Sequence, residues 1–332
     1  MRRNTQPGRI RSMKRGTTIP ELEEMLTYCR PHGSQTEADF VEKYIGTLPG
    51  ITYDKYGNGI VCIGTAPILW SAHTDTVHAK DGRQAVQRLG HELRLAKKRA
   101  GLCLGADDGA GVWLLMEMIR AKVSGLYVFH AGEEHGGLGS AWIAKNLADL
   151  LHGYKAAIAF DRKGTGSIIT HQGSRTCSDA FAMSLSLKLG GTYSCDDTGT
   201  FTDTANYEHI IGECTNVSVG YLNNHGPNET LDMLHVKELS EYLVRFNPAG
   251  LTYSRQPGDV EELDAFEYVG KDYGYLWSNK SDPTESYDEA LIELCHDHPA
   301  SAAKLIEMLG GNAADMLEQI QADGKPISYY SG

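Results

Sequence analysis

Up to about residue 247 the apolar positions of the chain follow two rhythms. PILWSAH, GLYVFHA and AAIAFD are short unbroken apolar runs that stop at a polar residue, as strands buried on both faces do. GVWLLMEMIRA and SAWIAKNLADLL have helical spacing, the first apolar around most of its surface. Upstream, TTIPELEEMLTYC predicts a helix with Thr18 near its start and Pro20 in its first turn. SQTEADFVEKYIGTL predicts a second, with Ser34 and Glu37 spaced as a capping box and Phe40, Val41, Tyr44 and Ile45 at helical spacing. ITYDKYGNGIVCIG reads as two strands joined by a Gly-Asn turn. GSIITHQGS and FAMSLSLKL are strand candidates, TDTANYEHII predicts a helix, and NVSVGY a strand. LDMLHVKELSEYLVRF closes the region as a helix, with Leu231, Leu234, Leu239 and Leu243 on one side. Strands alternating with helices predict an α/β fold with helices on both faces of the sheet.

The rhythm fails past Asn247. Residues 248–283 mix Pro, Gly, acids and aromatics, and TESYDEALIELC, ASAAKLIEML and NAADMLEQIQ then predict a small helical appendage. The organisation expected is a basic, disordered extension over 1–16, a catalytic domain over 17–247 and an acidic, partly helical region over 248–332. Charge sharpens that division. Residues 259–332 hold 16 Asp/Glu and 4 Lys, which accounts for the whole formal charge of −12. Such acidity argues against nucleic acid as a partner. It leaves three expectations for the tail: cover for a site, a homo-oligomer contact, or a protein partner. No apolar run approaches the roughly 20 residues of a membrane span. The 7 scattered Cys, together with the lack of a leader-like apolar start, predict a reducing cytoplasm.

Candidate chemistry clusters where the predicted strands end, the place where ligands gather in open α/β sheets. In WSAHTDTVH, His73 and Asp75 are two apart on an extended segment and face the same way. The imidazole suits a metal and the carboxylate suits orienting it; a polar strand end is the plainer alternative. In LGADDGAG, Asp107 and Asp108 either offer a carboxylate to cations or cap the next helix. In HAGEEHGG, the neighbours Glu133 and Glu134 repel unless cations relieve them. One of them as metal ligand and the other as general base would explain the pair, although a solvated acidic turn would not need it. Asp161 ends an apolar strand, and His225 lies in a Gly-Pro loop before the last helix.

Taken in order, His73-x-Asp75, Asp107-Asp108, Glu133-Glu134, Asp161 and His225 resemble the co-catalytic dinuclear zinc exopeptidases, among them peptidase T, glutamate carboxypeptidases and bacterial leucyl aminopeptidases. The resemblance covers about residues 17–245. It implies a three-layer αβα fold with a mixed, mainly parallel central sheet and two divalent metals, most simply zinc, with cobalt or manganese able to substitute. It implies that Asp107 bridges them, with a cis bond to Asp108. His73 and Asp161 complete one metal site, Glu134 and His225 the other, with Glu133 as general base and Asp75 orienting His73. Tyr221 is a candidate oxyanion donor, and His171 and Arg175 are candidate substrate contacts. His130 and His135 are expected to pack or hydrogen-bond nearby.

Many relatives insert a lid domain between the Asp161 and His225 positions. Here only 64 positions separate them, which resembles the lidless aminopeptidase branch. In TFTDTANY, Asp203 keeps an acid of that branch while Thr204 stands where a His is usual. The function implied is an exopeptidase, an aminopeptidase first, on short peptides. The same machinery acting on N-acyl amino acids, a carboxypeptidase, and an inactive scaffold with this fold are the alternatives.

Overall fold

The computed structural model describes residues 19–259. The basic extension and the three acidic helical patterns lie outside the described residues. Eight strands form a central sheet in which four of the seven pairings are parallel. Its heart is three neighbouring parallel strands, Ala156–Arg162, Ile68–His73 and Gly125–His130. Antiparallel Gly59–Ile63 and Thr52–Tyr53 extend one edge, joined by the predicted turn.

The alternation of side chains along the three strands builds the layers. Trp70, Tyr127, Phe129, Ile158 and Phe160 face a core shared with the Ala106–Arg120 helix. Leu69, Leu126, Val128 and Ala157 face a second core with Ile143 and Leu151. A strand that must be apolar on both faces cannot alternate with polar residues, which is why these runs were unbroken. The architecture is the expected three-layer αβα fold with a mixed sheet.

Between Asp161 and His225 the chain adds strands Ser167–Ile169, Ser194–Asp196 and Glu213–Ser218 to this sheet. FAMSLSLKL is a helix, Asp179–Lys188, and not a strand. Its serines imitate period-two alternation, but Ser178 caps the first turn and Phe181, Ala182 and Leu185 supply a helical buried face. TDTANYEHII forms only a 3-10 turn, Asp203–Tyr207. The closing helix is Met233–Leu243, capped by Asp232, and buries Met233, Val236, Leu239 and Leu243. Leu231 belongs instead to the preceding strand, and Leu234 is only partly buried.

A hairpin that the sequence reading passed over, Val86–Leu89 with Glu92–Leu95, pairs with that strand in a small second sheet. Residues 248–259 continue across the same body. Leu251 joins the core, and the Ser254 and Arg255 N–H groups donate to the Glu213 carboxylate.

Candidate active site

The three central strands deliver their last residues to one end of the sheet. His73 closes one and Asp161 sits one short of the end of its neighbour. The third runs into Ala131 and Gly132, then into a 3-10 turn, Glu133–His135. Asp107 and Asp108 open the Ala106–Arg120 helix in non-helical conformation, and the peptide between them is cis. His225 arrives from the loop between Tyr221–Leu222 and Thr230–Asp232.

Asp107 stands between two groups of candidate ligands. Its Oδ1 is 3.2 Å from His73 Nε2, which is itself 3.5 Å from Asp161 Oδ1. Its Oδ2 is 3.0 Å from His225 Nε2, which is 3.2 Å from Glu134 Oε2. His73, Asp107 and Glu134 can bring ligand atoms within 4.8 Å of one another, as can His73, Asp108 and Asp161. Glu133 Oε2 lies 3.9 Å from His73 Nε2. The five sequence-predicted ligands and Glu133 are therefore brought together.

Other side chains hold this arrangement in place. Asp75 is fully buried; its Oδ1 lies 3.5 Å from His73 Nδ1 and accepts the Gly132 and Glu133 N–H groups, while Oδ2 accepts that of Glu134. One carboxylate thus fixes both the imidazole and the turn bearing the glutamates. Asp108 turns inward, accepting the His73 and Gly111 N–H groups. That makes it a support of the ligand strand in addition to a cap.

Asp161 Oδ1 accepts from the Tyr221 hydroxyl at 3.1 Å and Oδ2 from Thr202 at 2.8 Å. Tyr221 also donates to the Asp161 carbonyl at 2.9 Å and is 2% exposed. Its hydroxyl is thus committed to Asp161.

Two supports were missed. Glu229 is buried and accepts four backbone N–H groups, those of Leu104 and Gly105 on Oε2 and of Ala106 and Asp107 on Oε1. Arg30, also buried, donates to the Thr74 and Gly105 carbonyls. Neither sits in a chemical motif. Glu229 had one signal, an acid four residues after His225 in the same loop.

The electrostatics are lopsided. Asp75, Asp107, Asp108, Glu133, Glu134 and Asp161 place six carboxyls around two imidazoles. Burial pushes Glu133 and Asp161 above the usual range, helped by neighbouring acids. Burial and the Asp107 charge bring Glu134 to about 7. Burial would raise Asp107 too, but His225 and His73 hold it well below its ordinary value. Hydrogen bonds donated to Asp107 and Glu134 lift His225 to about 11. His73 is raised as well: burial opposes this and its surrounding carboxylates outweigh it.

Glu134 Oε1 is buried with no hydrogen-bond partner among the described residues. Orphaned, crowded carboxylates beside imidazoles with no thiolate fit divalent cations of the zinc type.

The remaining candidates make other contacts. His171 and Arg175 sit on a two-stranded hairpin, where hydrogen bonds join His171 to Thr170 and Arg175 to Asp179. His130 is buried against Ser71, Tyr207 and Asp203, as a packed, hydrogen-bonded residue. His135 is 57% exposed at the rim. Asp203 is buried and accepts from Ser140 at 2.6 Å. Thr204 is buried and bonded to Gln172 and to the Thr215 carbonyl, so no substrate reaches it.

Aminopeptidase PepT from Bacillus cereus superposes with a TM-score of 0.56 at 16% identity, covering 68% of this chain and 96% of that one. The fold is that of these exopeptidases. Aminopeptidase APDkam598 from Desulfurococcus kamchatkensis gives 0.52 at 16% identity over 71% of this chain and 95% of that one. A tripeptidase from Staphylococcus aureus gives 0.52 at 14%, over 67% and 95%. No family model and no curated protein matches the sequence. The likeness agrees with the resemblance carried by HTDTV, GADDGAG and GEEHGGLGS. Among the described residues no helix is long and apolar enough to cross a membrane.

Proposed function

We propose that this chain is a metal-dependent exopeptidase, an aminopeptidase acting on short peptides. The observation that carries the reading is Asp107, whose two oxygens each face a separate His–carboxylate pair. Residues His73, Asp107 and Asp161 would hold one divalent cation, and Asp107, Glu134 and His225 the other. Such ions, when bound, polarise a water and the scissile carbonyl.

The chain's own groups do the rest. Glu133 takes the proton of the attacking water and delivers it to the leaving amine, a task suited to a carboxyl raised by burial and neighbouring charge. Asp75 keeps the His73 ring in one orientation with its Nε2 toward the cluster. Tyr221 and Thr202 set the two oxygens of Asp161. Asn224 sets Asp107 Oδ2 at 2.7 Å from its side-chain amide.

The test is metal analysis with turnover. The parent is expected to hold two metals per chain and to hydrolyse aminoacyl-nitroanilides. Glu133→Gln is expected to keep both metals while hydrolysis falls by at least about 100-fold. Parent-like turnover in that variant refutes the role of Glu133. N-acetyl amino acids assayed alongside decide between peptide and N-acyl substrates.

A further inference from the structure

The hairpin Val86–Leu89 with Glu92–Leu95 belongs to a strongly basic stretch. Residues 79–102 hold seven Lys/Arg and two acids, in a chain whose formal charge is −12. This stretch encloses a cavity of about 510 Å³ and supplies every residue that lines it. Lys80, Arg83, Lys97 and Arg99 are four of them, and Leu95 and Leu102 lie beside the cations.

The other cations of the stretch are accounted for. Arg88 pairs with Glu23, Arg94 with Glu92, and Lys98 donates to Asn228 Oδ1 at 2.7 Å. None of the four in the cavity lies within ion-pair distance of a carboxylate among the described residues. The frame around them is built. Arg83 lies 3.5 Å over the Tyr28 ring, and its strand pairs with that of Tyr28. Gln84, which also lines the cavity, donates to the Leu26 and Leu104 carbonyls. The Ala79 N–H donates to the Gly101 carbonyl at 3.0 Å. A Cβ at Gly101 would come within 2.8 Å of the Ala79 Cβ, so the two segments close only on a bare backbone.

A hollow lined by one sign of charge focuses its field and draws a counter-ion. Its volume falls in the range of small-molecule sites and exceeds what one simple ion fills. Arginine offers a two-pronged donor matched to phosphate, and lysine a point charge. Two of each, with apolar side chains beside them, suit an elongated anion of high charge.

We propose that this cavity binds a small molecule carrying a chain of two or more phosphates, either inorganic or attached to a nucleoside. The site shares no residue with the carboxylate cluster, whose charge is of the opposite sign, and it does not depend on the exopeptidase reading.

The experiment is calorimetric titration of the full chain with tripolyphosphate, ATP and AMP at about 0.1 M salt, where exposed charges are screened beyond roughly 10 Å. Tripolyphosphate and ATP are expected to bind with Kd on the order of 10 µM, and AMP at least about 10-fold more weakly. ATP binding about 10-fold tighter than tripolyphosphate marks the nucleoside-borne chain as the ligand, and equal affinities mark the inorganic one. The double variant Lys97→Ser with Arg99→Ser, at two exposed positions, should raise Kd by about 10-fold or more. Lys80→Ser removes a cation from the other end of the stretch and should raise it as well. Lys145→Ser, on the exposed surface of the Leu138–Asn146 helix, should leave Kd unchanged. Phosphates also bind divalent cations, so His225→Ala is titrated alongside and should bind as the parent does.

Four results overturn the proposal. They are binding no tighter than about 1 mM, AMP bound as tightly as ATP, a Kd unmoved by the cavity substitutions, and a loss in Lys145→Ser or His225→Ala equal to theirs.

Discussion

The two halves of the site are built differently. The His73 half stands on strand ends: its imidazole is 1% exposed, Asp161 is gripped by Tyr221 and Thr202, and Asp75 lies beneath. The His225 half stands on turns. Its imidazole is 51% exposed, on a loop residue with φ +62°, and Glu134 belongs to a single 3-10 turn. Asp107 is common to both. Pre-set ligands lose less freedom when they close on an ion, so the strand-borne half should bind the tighter metal.

The sharpest way to break this comparison is to remove each imidazole. His73→Ala should abolish activity and leave less than one metal per chain. His225→Ala should keep close to one metal and lose about 100-fold or more in kcat. Mass spectrometry of the native protein checks the stoichiometry, and equal metal loss in the two variants would erase the distinction between the halves.

Acidity offers a gentler probe. The neighbouring carboxylates raise both imidazoles above their ordinary value, His225 to about 11, and so favour their protonated forms. A cation must displace those protons, so protons are released on binding and apparent affinity rises with pH. Calorimetry in buffers of different ionisation heat should count that release, and affinity that is flat between pH 6 and 8 would contradict it.

The smallest effect concerns support. Glu229→Gln weakens charge-assisted bonds to four N–H groups and should lower stability by about 1–3 kcal/mol, as read by denaturant unfolding. Because those N–H groups include that of Asp107, the variant should also weaken metal binding in both halves together. Weakening of only one half would place the lever elsewhere.

The clustering of these residues was legible in the sequence because strand ends leave a signature. An apolar run that stops at His73 or Asp161 marks both the strand and the place where its polar residue emerges. Asp75 was legible from the two-residue period, though its grip on three N–H groups of a distant turn was not.

Supports that act across the fold left no local trace. Arg30 and Glu229 meet backbone atoms that no pattern of side chains announces. The Asp179–Lys188 helix was misread because serines spaced two apart mimic a strand, while its cap is a single residue outside the run. His171 and Arg175 follow the Asp161 strand in sequence, and the pairing of their two short strands with each other was not legible there.

Glu229 has a consequence for how the protein is made. On the ribosome the segment 104–107 is synthesised long before residue 229, so its N–H groups have no carboxylate to meet. His225 is equally late. A nascent chain that ends anywhere before these residues has neither the second imidazole nor the clamp on the Asp107 backbone. Completion of the cluster therefore belongs to the last act of domain synthesis, and unfinished chains carry it unassembled.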